Sequence, residues 1–462
     1  MSDIGALLSR VVGDQHVSSG EAIGADYTHD EALTVSAVQP GWVVRPGSTE
    51  EVAGIVVIAA EHRVPLTPRG SGTGLSGACV PSERGIVVSF ERMNRILEID
   101  EENHVAVVEP GVILDVLDKA TARVGLVYPV FPGENSASLG GNVATNAGGM
   151  RAVKYGVTRH HVLGLTAVLG TGEVIETGGK FVKATSGYDI TQLITGSEGT
   201  LALVTRAILR LHPRHDHAVT LLAPFATLEG VTAAVPLVVA SGLGPLIVEY
   251  IDLLSMSAIR ADRGLDFGVP QEISEVALAY LVIVLEDRRA DRLDEDVEEL
   301  AALIAGLGAL DVYVLPPQAG AQLIEAREKA FFTAKANGAN DIIDMVVPRA
   351  AIPRYMHAVS ELAQRSGSFV AGCGHAGDGN VHLAVFQPDP GTRDHLIRDI
   401  FIAGMELGGA ISGEHGIGTA KKQHLAELEN PAKLELMRRI KTAFDPAGIL
   451  NPGIIFDSEV TS

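Results

Sequence analysis

Cysteine is scarce in this sequence of 462 residues, where Cys79 and Cys373 are the only two. Two cysteines so far apart make no disulfide framework, which favours a reducing compartment and leads us to expect a cytoplasmic protein. Basic residues are also in deficit, because 36 Lys and Arg face 57 Asp and Glu and leave a net charge of −21. This charge argues against a nucleic-acid or anionic-membrane partner, and an anionic substrate would depend on local cations.

The sequence also lacks a long uninterrupted hydrophobic run. Its longest charge-free stretch, residues 231–248, contains Pro236 and Pro245 and predicts a helix followed by a buried strand rather than a membrane span. The N-terminus has an acid at Asp3 and no basic region before its short apolar run, which is not the pattern of a signal peptide. We expect no transmembrane segment, and peripheral attachment to a membrane stays open.

A glycine-rich stretch dominates the first half of the chain. Residues 68–77, PRGSGTGLSG, carry glycines spaced so that bare backbone amides can surround phosphate oxygens. Gly72, Gly74 and Gly77 also satisfy the dinucleotide pattern G-x-G-x-x-G, with Glu91 at the distance of a ribose carboxylate. However, only seven residues, one of them proline, separate the last glycine from the next strand-like run, too few for the helix that this pattern requires. We therefore predict a phosphate-binding loop between two strands, with a plain surface turn as the alternative.

Two further segments are rich in small residues. Residues 131–149, FPGENSASLGGNVATNAGG, would let the backbone approach a planar ligand closely, and the alternative is a packed small-residue helix between Ser138 and Asn146. Residues 196–205, GSEGTLALVT, form the third glycine-containing segment. Upstream, a capping box at Ser48 begins a predicted helix, so the order β-α-β-loop-β indicates an α/β nucleotide-binding domain.

The three segments together resemble the flavin-binding segments of the FAD-linked oxidase superfamily, of the vanillyl-alcohol oxidase type. The resemblance implies a two-part FAD-binding domain. Because no His occurs between Arg69 and Gly77, we expect FAD to be held without a covalent bond. Ala202 stands where relatives carry glycine, which would tighten the space near the flavin. The residues implied to bind FAD are Arg69, Gly70, Ser71, Gly72, Thr73, Gly74, Leu75, Ser76, Pro132, Gly133, Ser138, Gly141, Asn142, Thr145, Asn146, Glu198, Gly199, Val204 and Asn451.

The pattern changes after His212. Alternating strand-like and helix-like runs predict an α+β substrate domain with a mainly antiparallel sheet beside the FAD-binding domain. The expected boundaries are 1–213 for the FAD-binding domain, 214–408 for the substrate (cap) domain, and 409–462 for a C-terminal segment that, by the resemblance, returns to the FAD domain. The strand-like runs are 219–222, 246–251, 280–285 and 312–315, and the helix-like runs are 228–240, 292–306 and 320–336.

A second chemical centre is predicted in residues 374–382, GHAGDGNVH. Its central Asp-Gly pair is a two-residue hairpin signal, and counting outward places His375 opposite His382, with Cβ atoms about 5 Å apart. This arrangement suits two imidazoles that share a metal ion, and the alternative is a plain pair of histidines on a half-buried sheet. Glu414, beside His415 in the run ISGEHGIG, is available as a third ligand. Two His and one carboxylate leave coordination positions open, as in catalytic zinc sites, and manganese or iron(II) would also fit.

These two motifs resemble the D-2-hydroxyacid dehydrogenase branch of the superfamily, which includes D-lactate and D-2-hydroxyglutarate dehydrogenases and the FAD subunit of glycolate oxidase. The resemblance implies three metal ligands, a residue that contacts substrate and a base. The metal ligands would be His375, His382 and Glu414. Asn380 would contact the substrate, and His415 would be the base.

The same resemblance makes Arg327 the expected clamp for a substrate carboxylate, with a solvated helix arginine as the alternative. In the 2-hydroxyglutarate enzymes a lysine lies two residues before an aspartate that matches Asp344. Here that position is Ile342, which weakens the case for a second substrate carboxylate.

The combined prediction is FAD-dependent oxidation of a small D-2-hydroxy acid of the D-lactate, glycolate or D-2-hydroxyglutarate type to a 2-oxo acid. His415 would take the hydroxyl proton, a divalent metal would hold the substrate, and hydride would reach flavin N5. The electron acceptor, a quinone, an electron-transfer protein or oxygen, is not identified. The alternatives are a flavin-binding electron-transfer subunit that is active only in a complex, and a metallohydrolase with a regulatory nucleotide loop. A homodimer is left open.

Overall fold

The computed structural model of this chain describes residues 4–263 and 265–457. Residues up to 213 form two main sheets and the helices that cover them. In chain order the helices and strands of this part are α1 (Ile4–Val12), β1 (Val17–Ser19), β2 (Trp42–Val44), α2 (Thr49–His62), β3 (Leu66–Arg69), β4 (Ile86–Ser89), β5 (Ile96–Asp100), β6 (Val105–Val108), α3 (Leu114–Ala122), β7 (Leu126–Val127), α4 (Leu139–Thr145), α5 (Ala152–Tyr155), β8 (Val162–Leu169), β9 (Val174–Gly178), α6 (Ile190–Ile194), β10 (Ala202–Arg210) and β11 (His212–Pro213).

The first sheet has the strand order β1-β2-β4-β3, in which β2, β4 and β3 run parallel. Helix α2 connects β2 to β3, and it begins where the capping box predicts. Ser48 Oγ accepts a hydrogen bond from Glu51 N, and Glu51 Oε2 accepts one from Gly47 N. The helix buries Val52, Ile55 and neighbouring apolar residues at helical spacing against the sheet.

The glycine-rich loop connects the parallel strands β3 and β4. Residues 70–85 contain no helix, so the predicted loop between two strands is confirmed and the helix-dependent dinucleotide pattern is excluded. Gly72 and Gly77 have φ angles of +75° and +81°, a region that residues with a Cβ rarely adopt.

The second sheet is antiparallel, with the order β5-β6-β10-β8-β9. Its inner face packs on α3 and α4, which bury Leu117, Leu139 and Val143 in one hydrophobic core. The small-residue helix weighed for residues 138–146 therefore exists as α4. This helix also lines the cavity described below. Its small side chains therefore allow both close packing and close approach to a ligand.

Residues after 213 build one seven-stranded sheet with helices on it. The strand order is β15-β12-β14-β13-β17-β18-β16, and all described pairings in it are antiparallel. In chain order the elements are β12 (His217–Phe225), α7 (Leu228–Ala240), β13 (Ile247–Asp252), α8 (Leu253–Arg263), α9 (Gln271–Ser274), β14 (Ala279–Asp287), α10 (Ala290–Gly306), β15 (Tyr313–Leu315), α11 (Pro317–Glu328), α12 (Ala330–Ala336), β16 (Asp341–Val346), α13 (Ile352–Ser366), β17 (Phe369–Gly374), β18 (Asn380–Phe386), α14 (Pro390–Glu406), α15 (Lys422–Leu428) and α16 (Pro431–Phe444).

The predicted fold class, α+β with a mainly antiparallel sheet in the second part, is confirmed. The end of the described chain returns to the first sheet, because Leu66 N donates to Ile449 O and Asn451 N donates to Leu66 O, both at 2.8 Å. No helix within the described residues is both long enough and apolar enough to cross a bilayer.

The predicted register of the histidine hairpin is wrong. Strand β17 ends at Gly374 and β18 begins at Asn380, so a five-residue turn joins them and His382 pairs with Cys373 instead of His375. The backbone N–H groups of Gly379 and Asn380 both donate to His375 O, which closes a wider turn than the Asp-Gly signal predicts.

Candidate functional site

An open cavity lies between the glycine loop, α4, the start of β10 and the loop after α14, and its space, including the part open to solvent, is about 1480 Å³. All of the residues predicted to bind FAD line it except Asn146. Asn146 ends α4 with a φ of 53°, and its Oδ1 accepts a hydrogen bond from Arg159 N at 2.9 Å. Ala202 also lines the cavity, so its methyl group takes up space there. The three glycine-containing segments therefore meet around one ligand-sized space.

Gly70, in the wall of the cavity, leaves no room for a side chain. A Cβ atom at Gly70 would overlap Ser138 Oγ. Asn142 is 3% exposed, and its Nδ2 has no hydrogen-bond partner among the residues that the structure describes. Because buried donors are normally paired, this amide is ready to bind an acceptor on a ligand in the cavity.

Glu198 and Asn451 connect the segments around the cavity. The Glu198 carboxylate accepts hydrogen bonds from Ile417 N and Gly418 N, each at 2.8 Å. Asn451 Nδ2 donates to Ala78 O at 3.0 Å and to Glu198 O at 2.8 Å. The loop that carries Glu414 and His415 is therefore bonded directly to the glycine-rich segments, and Glu414 and His415 both line the cavity.

Around Glu414 and His415 lies a group of buried and partly buried polar side chains that we call the histidine cluster. Its members are His375, His382, His415, Glu249, Asp344, Glu414, Asn380, Arg327 and Lys421. His375 Nε2 lies 3.0 Å and His382 Nε2 lies 3.2 Å from the same oxygen, Glu414 Oε1. The rings of His375 and His382 are 4.9 Å apart at 81°. The structure thus brings the three predicted ligands together despite the different hairpin register.

His375 is oriented by a second carboxylate, Glu249. Its Nδ1 lies 2.6 Å from Glu249 Oε1, and Glu249 has no exposed surface. A carboxylate on one ring nitrogen fixes the tautomer and directs the other nitrogen at a ligand position. Sequence reasoning missed Glu249, although an acid in the otherwise apolar run LIVEYI was a signal that a buried partner exists.

Asp344 is the hub of the loop that carries Glu414 and His415. It lies on β16, has no exposed surface, and its Oδ2 accepts four hydrogen bonds. The donors are Ser412 Oγ (2.8 Å), Gly413 N (3.0 Å), Glu414 N (3.0 Å) and His415 N (2.8 Å). Lys421 Nζ lies 3.6 Å from the same oxygen and supplies positive charge. The backbone of the loop is thereby held against the sheet.

Asn380 and Arg327 do not line the cavity. Asn380 is 5% exposed, and its Nδ2 donates to Asp344 Oδ1 at 2.7 Å and to Met345 O at 3.1 Å. Arg327 is 6% exposed, so it is not a solvated helix arginine, and its Nη2 lies 2.7 Å from Glu249 Oε2. Both side chains therefore contact carboxylates of the cluster without lining the cavity.

The protonation states within the cluster follow from burial and from neighbouring charges. Burial alone would lower the pKa of His375, but Glu249 and Glu414 outweigh it and raise that pKa well above the ordinary value. Burial likewise raises the pKa of Glu414, but His375 and His382 reverse the effect and the net pKa is lowered. Desolvation lowers the pKa of His415 to about 4, so its imidazole is neutral at pH 7 and can accept a proton.

The chain matches two family models for FAD-linked proteins. Residues 214–455 match the family described as "FAD linked oxidases, C-terminal domain", and residues 40–178 match an "FAD binding domain". The chain is 56% identical to an uncharacterized FAD-linked oxidoreductase of Mycobacterium tuberculosis, over 99% of both proteins. It is 40% identical to a D-lactate dehydrogenase of Archaeoglobus fulgidus, over 89% of this chain and 90% of that protein.

A glycolate oxidase subunit of Bacillus subtilis is 36% identical, over 98% of this chain and 97% of that protein. Among solved structures, p-cresol methylhydroxylase with substrate bound superposes with a TM-score of 0.82 at 19% identity, over 98% of this chain and 96% of that one. At that identity the structural likeness concerns the fold.

Proposed function

This chain is an oxidoreductase that belongs to the FAD-linked oxidase family, and on that premise we propose that it oxidises a small D-2-hydroxy acid to the 2-oxo acid. D-lactate, glycolate and D-2-hydroxyglutarate are the substrate types in question. The observation that carries the proposal is that Glu414 and His415 line the same cavity as the glycine-rich segments. The names of the Archaeoglobus and Bacillus relatives support it.

FAD fits the cavity, because the glycine loop leaves bare amides and Asn142 offers an unpaired donor. Residues 69–76 would hold the pyrophosphate, and α4 and residues 198–204 would lie against the rest of the cofactor. Bound FAD supplies a two-electron acceptor for hydride. We propose that no covalent bond to the flavin forms. Desolvation raises the pKa of the nearby Cys79 thiol to about 12, so this sulfur stays protonated and unreactive.

A divalent metal fits between His375, His382 and Glu414. Their ligand atoms all lie within 4.8 Å of one another, and Glu414 Oε2 is buried without a hydrogen-bond partner among the described residues. Two histidines and one carboxylate suit zinc, and also manganese or iron(II). The metal would supply Lewis-acid chemistry to the substrate hydroxyl.

A second set of three groups, Asp344, His382 and His415, has a similar spacing. It is a poorer metal site, because Asp344 Oδ2 already accepts four hydrogen bonds and the Lys421 ammonium lies 3.6 Å away. Asp344 therefore acts in orienting His415, whose Nδ1 is 4.0 Å from Asp344 Oδ2.

His415 is the proposed base. Its imidazole lines the cavity, is neutral at pH 7, and would take the proton of the substrate hydroxyl. The Asp344 carboxylate then stabilises the imidazolium that results. Arg327 favours a substrate carboxylate through its charge, although one nitrogen already pairs with Glu249. Asn380 serves this step by holding Asp344 rather than from the cavity wall.

The test is the visible spectrum of the purified protein under anaerobic conditions, recorded before and after separate additions of D-lactate, glycolate, D-2-hydroxyglutarate and L-lactate. We expect bleaching of an oxidised-flavin band by at least one of the first three and none by L-lactate. A yellow protein that no hydroxy acid reduces would contradict the proposal.

Replacement of His415 tests the base. We expect His415→Asn to retain FAD and to slow flavin reduction by about a hundredfold to ten-thousandfold, the range that general-base catalysis contributes. His357→Asn is the matched control, because the His357 side chain is 65% exposed on α13. An undiminished rate in His415→Asn would remove it as the base.

Metal removal tests the ligand set separately. Dialysis against a chelator should abolish flavin reduction without releasing FAD, and addition of zinc, manganese or iron(II) should restore it. Full activity in protein shown by elemental analysis to hold no metal would contradict the metal-binding role of the three ligands.

A second candidate is a role as the flavin subunit of a larger complex, which the word "subunit" in the name of the Bacillus relative favours. In that case the isolated chain would bind FAD but would be reduced by substrate only after its partners are added. A quinone or an electron-transfer protein would be the acceptor. The family assignment disfavours the metallohydrolase alternative.

A further inference from the structure

A second, smaller cavity adjoins the flavin cavity. Its space, including the part open to solvent, is about 460 Å³, and Leu75 and Phe331 form walls of both cavities. Apolar side chains from separate parts of the chain, including Leu33, Ile342 and Ile397, line its interior. We call this space the side cavity.

The side cavity begins next to the histidine cluster. Ile342 and Asp344 are two residues apart on β16, so their side chains leave the strand on the same face, about 7 Å apart. Lys421 also lines the side cavity, and its Nζ lies 3.6 Å from Asp344 Oδ2 and 3.4 Å from Ser412 Oγ. The side cavity therefore reaches Lys421, whose partner Asp344 also lies 4.0 Å from His415 Nδ1.

The side cavity is lined by one basic and one acidic side chain. The cation, Lys421, already has Asp344 as its partner, and a second acid, Asp341, lines the same space. Burial raises the pKa of Asp341. It lowers the pKa of His424, whose ring lies 5.0 Å from the Phe401 ring at 56° and stays neutral at pH 7. Among the lining residues that the structure describes, no cation remains without an acidic partner.

From this arrangement we infer that the side cavity receives the substrate side chain and selects 2-hydroxy monocarboxylic acids whose side chain is apolar and longer than one carbon. The inference rests on the proposed function, since it takes the hydroxy acid to react beside His415. A terminal carboxylate would enter a space whose only cation is already paired, and burying an unpaired charge is strongly unfavourable. Each added methylene instead gains contact with Ile342, Phe331 and their neighbours.

The experiment measures anaerobic flavin reduction by stopped flow for D-2-hydroxy acids with straight side chains of one to four carbons. We expect the second-order rate constant to rise about fourfold per methylene, which is the factor for burying one CH₂ group. D-2-hydroxy-5-methylhexanoate and D-2-hydroxyglutarate form a matched pair, because the isopropyl end has the shape of the carboxylate. The glutarate should react at least about a hundredfold more slowly.

Two variants locate the effect. Ile342→Trp should fill the side cavity and remove the gain with chain length, so that rate constants no longer rise along the series. Val314→Trp is the control, because Val314 is 54% exposed on the edge strand β15, and it should keep the full gain. Should Ile342→Trp fail to fold, the series on the unaltered protein still decides.

Three results would overturn the inference. A series with no dependence on chain length, or a glutarate that reacts as fast as its isostere, would refute the side-chain site while leaving hydroxy-acid oxidation intact. Retention of the full gain in Ile342→Trp would refute its location. If no acid of any length, D-lactate included, reduces the flavin, both this inference and the proposed function fail.

Discussion

Replacing Asp344 by Asn is the sharpest test of how the site is held together. The substitution keeps the shape of the side chain and removes one negative charge from the centre of the histidine cluster. Asp344 Oδ2 accepts four hydrogen bonds from residues 412–415, and Oδ1 accepts one from Asn380. We expect the variant to fold, to bind FAD and to lose both stability and activity.

The size of the effect follows from these partners. An Asn oxygen turned towards the four donors would leave its amide group facing Asn380 Nδ2, so two donors would oppose each other. The opposite orientation would place the amide against four donors, which is worse. In either case Lys421, whose side chain is 7% exposed, loses its carboxylate partner. Breaking a buried charge pair in this way costs about 3–5 kcal/mol of unfolding free energy.

Activity should fall as well, because residues 412–415 include the proposed ligand Glu414 and the proposed base His415. A displacement of about 1 Å in a reacting group costs roughly a hundredfold in rate. Urea unfolding followed by far-ultraviolet circular dichroism would give the stability change. Stopped-flow flavin reduction with the best substrate would give the rate. Trp42 lies in β2, so its fluorescence would report on the first sheet separately.

The controls separate charge from position. Asp399→Asn removes an acid that is 51% exposed on α14 and should change stability by less than about 0.5 kcal/mol. Lys421→Met combined with Asp344→Asn removes both charges and should recover about 1–3 kcal/mol relative to the sum of the single variants. An Asp344→Asn protein as stable and as active as the unaltered one would refute the role of Asp344 as the hub.

Two further predictions concern the FAD-binding part. Gly70→Ala places a Cβ against Ser138 Oγ and should lower the FAD content of the purified protein. Gly306→Ala in α10, where a Cβ meets nothing within 4 Å, is the control and should keep the full FAD content. Equal FAD content in the two variants would contradict the tight fit at Gly70. Desolvation lowers the pKa of His161 from 6.5 to about 4, so unfolding takes up a proton below pH 6.5, and stability should fall by up to about 3 kcal/mol as the pH drops from 6.5 to 4. His161→Gln should lessen this acid sensitivity, and identical pH profiles of unfolding free energy for the two proteins would rule the contribution out.

Features that depend on local chemistry could be predicted from the sequence. The capping box at Ser48 identifies the start of α2, and the spacing of its apolar residues identifies the buried face. The glycines of residues 68–77 predict a loop between strands because too few residues follow for a helix. Each of these outcomes is decided by neighbours in sequence.

The hairpin at His375 shows where local reasoning ends. An Asp-Gly pair favours a two-residue turn, but tertiary packing makes the turn wider, and Gly377 N donates to Val248 O on the neighbouring strand. His375 and His382 still come together, and Glu414, from a distant loop, approaches both rings. The sequence therefore identified groups that come together in the structure, although it predicted the wrong register for them.

Which residues on remote strands become partners could not be predicted from the sequence. Glu249 lies 126 residues before His375, and the pairing of β13 with β17 depends on the whole seven-stranded sheet. The side cavity likewise combines Leu33 with Ile342 and Ile397, three positions that no sequence pattern connects.

The buried charges of the histidine cluster connect the proposed metal with the proposed substrate. Its carboxylates are Glu249, Asp344 and Glu414, each at most 10% exposed, and its permanent cations are Arg327 and Lys421. Without a metal, the raised pKa of His375 supplies a third positive charge, which balances the three carboxylates. A histidine that binds a metal must be neutral, and in that state three negative charges face two positive ones and leave a single negative charge. A divalent ion changes this excess to a single positive charge, and the carboxylate of a 2-hydroxy acid then makes the cluster neutral. A second substrate carboxylate would restore a negative excess, so the charge count of the metal-loaded cluster favours a monocarboxylate.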